Sequence, residues 1–309
     1  MKAKALIVNE NAGNRMGARD LGIIVQELDK QGIEFQLFKT KYRGHAIELC
    51  IDLIQQGFRE FIGVGGDGTL NEIVNGIFLQ QSVPHHEFTV GMIPVGAGND
   101  WCRSVAVPTE YAKAIQLIKE NRTTIQNMAK VYNQGQPDQP VYFANSLGGG
   151  FDGFVAHRTN IAKQNGKGSA WTYLYTLFTS LFQFESTRMQ IEIDEQVISD
   201  DIFSFTAGMG KYNGGGMKQL PHADLINGVL DVAIIRHLPK WKVIQNVNKL
   251  YDGTHLQKAE VSYHSGHRVR IESNPPVRIE TDGEDFGYTP IEIELIPKAL
   301  RIYSGLHEK

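Results

Sequence analysis

The sequence predicts two domains of different class: an α/β domain with a parallel sheet, then a mainly antiparallel β-sandwich domain. Three observations carry this. The chain has 309 residues, enough for two domains at about 150 residues each. Short apolar runs alternate with helical stripes over residues 1–127. Over 128–309 strand-type runs dominate instead, with 298–309 a candidate for return to the first domain.

In the first domain Ala5–Val8 reads as a strand, and Leu21, Ile24, Val25 and Leu28 recur at helical spacing. Phe35–Phe38 is a second strand, followed by the stripe Ala46, Leu49, Cys50, Leu53 and Ile54. Phe61–Val64 is a third, followed by Leu70, Ile73, Val74, Ile77 and Phe78. Thr89–Val95 is a fourth, followed by Ala114, Ile115, Leu117 and Ile118. Such alternation implies parallel strands covered on both faces. Further on, Gln134–Asp138 reads as a hairpin turn. Gln190–Ile193, Ile202–Ala207, Leu230–Ile235, Arg268–Ile271, Val277–Glu280 and Ile291–Ile296 read as strands, interrupted by one helix, Ala170–Phe184.

Composition narrows the function. With 31 Lys+Arg against 34 Asp+Glu there is no bulk field for nucleic acid and no basic run to form a groove. Two cysteines, Cys50 and Cys102, make no disulfide framework, which fits a reduced, cytoplasmic setting. The N-terminus lacks a signal-peptide core, and no stretch of 18 apolar residues offers a membrane span. A homodimer is left open. The 32 glycines are in excess of the norm of about 7% and cluster at a few places.

The densest cluster is Gly63-Val64-Gly65-Gly66-Asp67-Gly68-Thr69-Leu70-Asn71-Glu72, where a strand enters a glycine turn and a helix starts. Such a loop lets backbone N–H groups and the helix dipole meet a phosphate. Thr69 and Glu72 have the spacing of a capping box. Gly63, Gly65 and Gly68 also satisfy G-x-G-x-x-G, but Asp67 would face a bare pyrophosphate, and Glu87 precedes the next strand rather than ending it. The ordinary dinucleotide reading is therefore rejected, and no Walker A loop is present. A second cluster, Gly96-Ala97-Gly98-Asn99-Asp100, follows the fourth strand and falls at the same carboxyl edge. Asp67 and Asp100 suit Mg²⁺, which takes few carboxylates and several waters.

These residues resemble the signature of the diacylglycerol kinase catalytic-domain family, which includes sphingosine and ceramide kinases and soluble bacterial lipid kinases. The resemblance continues through Val8-Asn9-x-x-Ala12-Gly13, Thr40 before Gly44-His45-Ala46, and Asn145-x-x-Gly148-Gly149-Gly150-Phe151-Asp152. It ends with Gly214-Gly215-Gly216-Met217, Pro221-x-Ala223 and Asp282-Gly283-Glu284. It implies a Rossmann-like N-terminal domain of the NAD kinase/diacylglycerol kinase type and a lipid-substrate β-sandwich domain. The implied activity is Mg²⁺-dependent transfer of the γ-phosphate of ATP to a lipid hydroxyl at the membrane surface, by a peripherally associated enzyme. By family analogy Asn9, Thr40, Gly65, Gly66, Asp67, Gly68, Thr69, Leu70, Asn71, Glu72, Gly96 and Ala97 contact ATP. The resemblance makes Glu284 the catalytic acid/base and gives Asp67 a part in the Mg²⁺–phosphate network. It also implies a structural Mg²⁺ site from the Asp224 and Val229 carbonyls with the Asn227 side chain. Without it, Asp282-Gly283-Glu284 reads as a plain β-turn.

Four positions depart from the family pattern: Glu10 where Pro is common, Ala97 where Thr is usual, and Asn127 and Asn227 where Asp is usual. Ala97 lacks a hydroxyl contact worth about 1 kcal/mol. The rival functions are a kinase of a soluble nucleotide such as NAD, whose family shares the Gly-Gly-Asp-Gly-Thr loop, and a non-catalytic lipid- or nucleotide-binding protein. The stripe Trp171, Leu174, Tyr175, Phe178, Leu181 and Phe182 reads as core more readily than as an acyl-chain wall. Arg158, Lys163, Lys167 and Lys211 read as solvated surface. The histidines show no metal spacing.

Overall fold

The structure, a computed structural model, describes residues 3–96, 98–164 and 170–306, with the side chains of 163, 164 and 170–174 excepted. The chain divides into two compact units, Met1–Met128 with Pro297–Lys309, and Ala129–Ile296.

The first unit opens with β1 (Lys4–Val8), α1 (Ala12–Lys30), β2 (Phe35–Lys39), α2 (His45–Gln55), β3 (Glu60–Gly65) and α3 (Asp67–Leu79). It continues through β4 (Thr89–Pro94), α4 (Asp100–Ser104), α5 (Tyr111–Lys119) and the start of β5 (Thr123–Asn133). The strands run parallel in the order β2–β1–β3–β4, and the end of the final strand, Ile291–Tyr303, lies parallel to β4 through Arg301↔Thr89 and Ile302↔Val90. One face buries Leu6, Val8, Ile62, Val64 and Ile93 against Ile24 and Leu28 of α1 and Ile115 and Ile118 of α5. Helices α2 and α3 pack together, closely enough that a Cβ on Gly76 would lie 2.5 Å from Cys50 Cβ. Burial on both faces is why these strands read as unbroken apolar runs.

The second unit holds the rest of β5, β6 (Val141–Phe143), β7 (Ser146–Gly150), α6 (Phe151–Gln164), α7 (Ala170–Gln183), β8 (Thr187–Ile193) and β9 (Gln196–Gly208). After β10 (Leu230–Arg236) and α8 (Lys240–Asp252) come β11 (Val261–Gly266), β12 (Arg268–Asn274), β13 (Arg278–Thr281), β14 (Glu284–Tyr288) and β15 (Ile291–Tyr303). The pairings β14–β13–β7–β9–β8–β12–β15 are antiparallel, as are those of β10 with β9 and β11 and of β5 with β6; β5 also pairs with β15. This is the expected mainly antiparallel, sandwich-like domain, with its hairpin across 134–140.

Two helices correct the sequence reading, which placed only one here. Helix α6 starts straight after Gly148–Gly150 and contains Gly153, residues whose intrinsic preference argues against a helix. Helix α8 has no fully buried residue and no clean apolar stripe to reveal its period.

Candidate functional site

In the first unit the phosphate-loop residues gather at the carboxyl ends of the parallel strands, held level by backbone bonds. Asn9 N donates to Val64 O (3.0 Å), Val95 N to Gly65 O (2.9 Å) and Thr40 N to Val8 O (2.9 Å). Asn9 Nδ2 donates to Thr69 Oγ1 at 3.3 Å, and Asn9 Oδ1 accepts the N–H of Asn11 at 3.0 Å. Asn9, Thr40, Gly65, Gly66, Thr69 and Gly96 thus share one sheet edge, where open α/β sheets bind ligands. Ala97 lies outside the described residues.

The two glycine loops are tied together by Asp67. Its carboxylate accepts the N–H groups of Asp100 (3.2 Å) and Trp101 (3.1 Å), capping the start of α4. Burial pushes the Asp67 carboxyl up, against those backbone donors, which favour the anion. Asn99 sits at φ 52, donates Nδ2 to Gly96 O at 2.8 Å, and has a buried Oδ1 without a partner among the described residues.

Two adjacent glycines have different reasons to be glycine. A Cβ on Gly65 would overlap the Thr69 side chain, so close packing excludes one. Gly66 has an ordinary φ of −112° and, at its Cβ position, nothing among the described residues nearer than Asn99 Oδ1 at 3.7 Å. Neither its φ nor the packing of the described residues demands glycine there.

The capping box does not form. Helix α3 begins at Asp67 with Gly66 as its cap, so Thr69 is already inside it. Glu72 reaches to another helix, accepting Gly44 N (2.8 Å) and Ala46 N (3.0 Å) at the start of α2. Leu70 is buried in the core, and Asn71 takes Asn75 Nδ2 on its carbonyl at 2.8 Å. Spacing alone cannot tell a Glu that closes its own helix from one that caps a neighbour.

The same edge offers ligands for a cation. A point at the Cβ position of Gly98 lies 3.2 Å from Asp67 Oδ2 and 3.8 Å from Asp100 Oδ2, so two carboxylates converge beside a side-chain-free residue. Hard oxygen donors of this kind fit Mg²⁺. Among the described residues no three His, Cys, Asp or Glu side chains cluster as a metal site. In the second unit Asp224 Oδ1 accepts Ile226 N and Asn227 Oδ1 accepts Val229 N, both at 3.1 Å. Asn127 is buried; its Oδ1 accepts Lys298 N at 3.0 Å and its Nδ2 has no partner among the described residues.

The second unit presents Glu284 on a tight hairpin. Thr281 pairs with Glu284, and the two residues between them, Asp282 and Gly283, have φ of 49° and 84°. That is the backbone twist a two-residue hairpin needs. The turn is anchored: the Asp282 carboxylate accepts the N–H groups of Ala144, Asn145 (3.0 Å each) and Ser146 (3.1 Å). Asn160 Nδ2 donates to Gly283 O at 3.1 Å.

Behind the turn lie a buried acid, Glu280, and a half-buried one, Asp152. Glu280 accepts Gly283 N at 2.6 Å and Asn213 Nδ2 at 3.0 Å; burial, with Asp152 and Asp282 nearby, pushes its carboxyl up to about 8. Asp152 accepts Thr206 Oγ1 at 3.2 Å, and burial raises it to about 6. A Cβ on Gly148 would lie 2.6 Å from Glu280 Oε1, so that glycine makes room for the acids. Glu280 escaped the sequence reading because one Glu in a strand is unremarkable; only its place among Val277 and Ile279 hints at burial.

The family follows from direct comparison. Residues 4–131 match the model of the diacylglycerol kinase catalytic domain, and residues 145–304 that of the YegS C-terminal NAD kinase beta sandwich-like domain. The chain belongs to the diacylglycerol kinase family. It is a lipid kinase by class, a transferase of the kind that uses ATP. The diacylglycerol kinase of Bacillus subtilis (strain 168) is 27% identical over 99% of this chain and 96% of its own. That of Staphylococcus carnosus (strain TM300) is 26% identical over 98% and 95%. A solved diacylglycerol kinase from Bacillus anthracis shares the fold, with a TM-score of 0.72, 23% identity and coverage of 98% of this chain and 97% of that one.

Proposed function

We propose that this protein transfers the γ-phosphate of ATP to the hydroxyl of diacylglycerol or a related glycerolipid or sphingoid lipid, with Mg²⁺, at a membrane surface. The observation that carries the donor half of this reading is the loop pair braced by Asp67, at the carboxyl end of the parallel strands, where Gly66 has no described neighbour nearer its Cβ position than Asn99 Oδ1 at 3.7 Å. Backbone N–H groups at the start of α3 orient the phosphates, and Asn9, Thr40 and Thr69 supply polar groups along the same edge. Asp67 and Asp100 would hold Mg²⁺, which when bound offsets the negative charge of the phosphates. On the acceptor side Glu284, carried by the anchored turn, takes or orients the proton of the lipid hydroxyl. No described helix is long and apolar enough to cross a membrane, so the lipid would be met at its surface.

The test is transfer of labelled γ-phosphate from Mg·ATP to a panel of lipids in mixed micelles, with NAD as a soluble acceptor. Asp67→Ala and Glu284→Ala are run beside the wild type. A labelled lipid that both substitutions abolish is expected. Labelled NAD, or ATP binding without any labelled product, overturns the reading.

A further inference from the structure

The aromatic stripe expected as core in α7 is exposed at Tyr175, Phe178 and Phe182; Leu181 is buried, and Trp171 and Leu174 fall outside the described side chains. The convergence in this unit lies elsewhere. Three glycine-bearing motifs, Asn145–Gly150, Gly214–Met217 and Asp282-Gly283-Glu284, meet at one side chain that belongs to none of them. That side chain is Glu280, which is 2% exposed. Its Oε2 accepts Gly283 N at 2.6 Å, in the turn before Glu284. Its Oε1 accepts Asn213 Nδ2 at 3.0 Å, at the start of the glycine loop 214–216. The same oxygen lies 2.6 Å from the Cβ position of Gly148, so the first motif makes room for it.

The contacts close a ring. Asp282 accepts Asn145 N at 3.0 Å, Asn145 Nδ2 donates to Tyr212 O at 2.8 Å, and the next residue, Asn213, returns to Glu280. Asn213 also exchanges backbone bonds with Met217, at 2.9 and 3.0 Å, which closes the glycine loop. Strand β14 bulges opposite Glu280: Ile279 pairs with Gly287 and Glu280 with Asp285, so Phe286 has no opposite residue. Bulges of this kind re-aim side chains beside active sites. Beyond Glu284, Asp285 is held by His157 Nδ1 at 2.9 Å and Arg278 Nη1 at 3.2 Å. Side chains of α6 and β13 thus fix the residues on both sides of Glu284.

The task at position 280 needs a carboxyl group. Gly283 N and Asn213 Nδ2 are both donors, so each oxygen must accept. Asn213 is not free to turn its amide round, because its Oδ1 accepts Gly214 N at 2.7 Å. Glutamine at 280 would set an NH₂ group against one of the two donors. Burial, with Asp152 and Asp282 nearby, pushes Glu280 up to about 8, and acids kept at such cost gather at functional sites.

We propose that Glu280 is a positioning residue for phosphate transfer: through Gly283 N and Asn213 it locks the turn that carries Glu284 to the glycine loop 214–216, and so fixes where the Glu284 carboxylate points. The inference rests on the reading of Glu284 as the group that takes or orients the proton of the acceptor hydroxyl. A misplacement of about 1 Å at such a group can cost on the order of 100-fold in rate.

Two readouts on the full chain test it, the first without turnover. Gly283 N–H should be protected from hydrogen exchange in the wild type and exchange about tenfold faster or more in Glu280→Gln, while the amide of Phe205 in β9 keeps its protection. In the second, single-turnover transfer from Mg·ATP to a lipid should slow about 10–100-fold in Glu280→Gln, corrected for the folded fraction and with KM for ATP unchanged. Placed on top of Glu284→Ala, the same substitution should cost less than about twofold, because no carboxylate is left to position. Asn213→Ala, at a half-buried loop residue, carries the same cycle should Glu280→Gln not fold: slower transfer alone, no further loss beside Glu284→Ala. Equal protection of Gly283 in Glu280→Gln and the wild type, transfer at the wild-type rate, or an equal fold-loss with and without Glu284 overturns the proposal. Gly283 freed in Glu280→Gln, with no lipid phosphorylated by any form, upholds Glu280 as the lock of the turn and sinks the acid/base reading of Glu284 instead.

Discussion

Asp67 spans the two glycine loops, its carboxylate accepting the backbone N–H groups of Asp100 and Trp101 at 3.2 and 3.1 Å. Bonds to a charged acceptor contribute about 1.5–3 kcal/mol, against about 1 kcal/mol for neutral ones. Asp67→Asn keeps the shape and one acceptor oxygen but loses the charge. A stability loss of about 1–2 kcal/mol is expected, read as a lower urea midpoint at unchanged m-value. Phosphate transfer should fall on the order of 100-fold, the scale of losing one charge-organising group. A stability loss with wild-type kcat would make Asp67 a brace and nothing more.

Gly65 and Gly66 separate packing from ligand approach. Gly65→Ala drives a methyl into Thr69, an overpacking cost of about 1–3 kcal/mol that thermal unfolding will register. Gly66→Ala keeps an ordinary φ and brings its methyl only to ordinary contact with Asn99 Oδ1, at 3.7 Å, so its stability cost should stay below about 1 kcal/mol. Its ATP affinity should nevertheless fall at least about tenfold, since the added methyl occupies the phosphate's approach. Equal ATP affinity in Gly66→Ala and the wild type would refute the assignment of that space to phosphate.

The parallel strands of the first unit were legible because burial on both faces leaves a signal in single residues: Ala5–Val8 and Phe61–Val64 are unbroken apolar runs. The glycine loops were legible because three glycines and an acid exceed what a turn needs. Pairings set by tertiary structure were not. Glu72 matched a capping box letter by letter, yet it caps α2 from α3, a contact between helices that no local spacing encodes. Helix α6 was hidden by its glycines, which serve β7 and the acids behind it rather than helix propensity. Glu280 on β13 and Asp152 in the first turn of α6 come together only when β13 pairs with β7, the strand that leads into α6, so neither element alone announces an acid pair.

That pair makes stability depend on pH in a stated direction. Glu280 is raised from 4.5 to about 8 in the folded chain, and Asp152 from 3.8 to about 6, both by burial first. Between its unfolded and folded values such a carboxyl holds more protons folded than unfolded, so stability falls as pH rises. The Glu280 contribution is therefore full below about pH 4.5 and lost progressively up to about pH 8, with a limiting slope of about 1.4 kcal/mol for each step of one in pH. Glu280→Gln, which cannot ionise, should flatten the decline between pH 5 and 8 seen in urea unfolding of the wild type. A decline of equal slope in both proteins would place the titration elsewhere.

Asp282 and Glu284, two residues apart on one turn, should fail in opposite ways. Asp282→Ala strands three buried N–H groups, of Ala144, Asn145 and Ser146, and puts alanine at φ 49°. A loss of about 3 kcal/mol or more follows from unpaired donors and left-handed strain together. Any loss of kcat should track the unfolded fraction and return when low temperature or added ATP restores the fold. Glu284→Ala, on a partly exposed strand end, should cost under about 1 kcal/mol and leave ATP binding intact. It should still lower kcat by about 10²–10⁴, the range for a general base. Glu284→Gln should be no better, because the amide fills the same space without accepting a proton. Measured together, unfolding midpoints and single-turnover rates for the three variants decide the roles, and a Glu284→Gln variant that turns over at the wild-type rate would remove Glu284 from the chemistry.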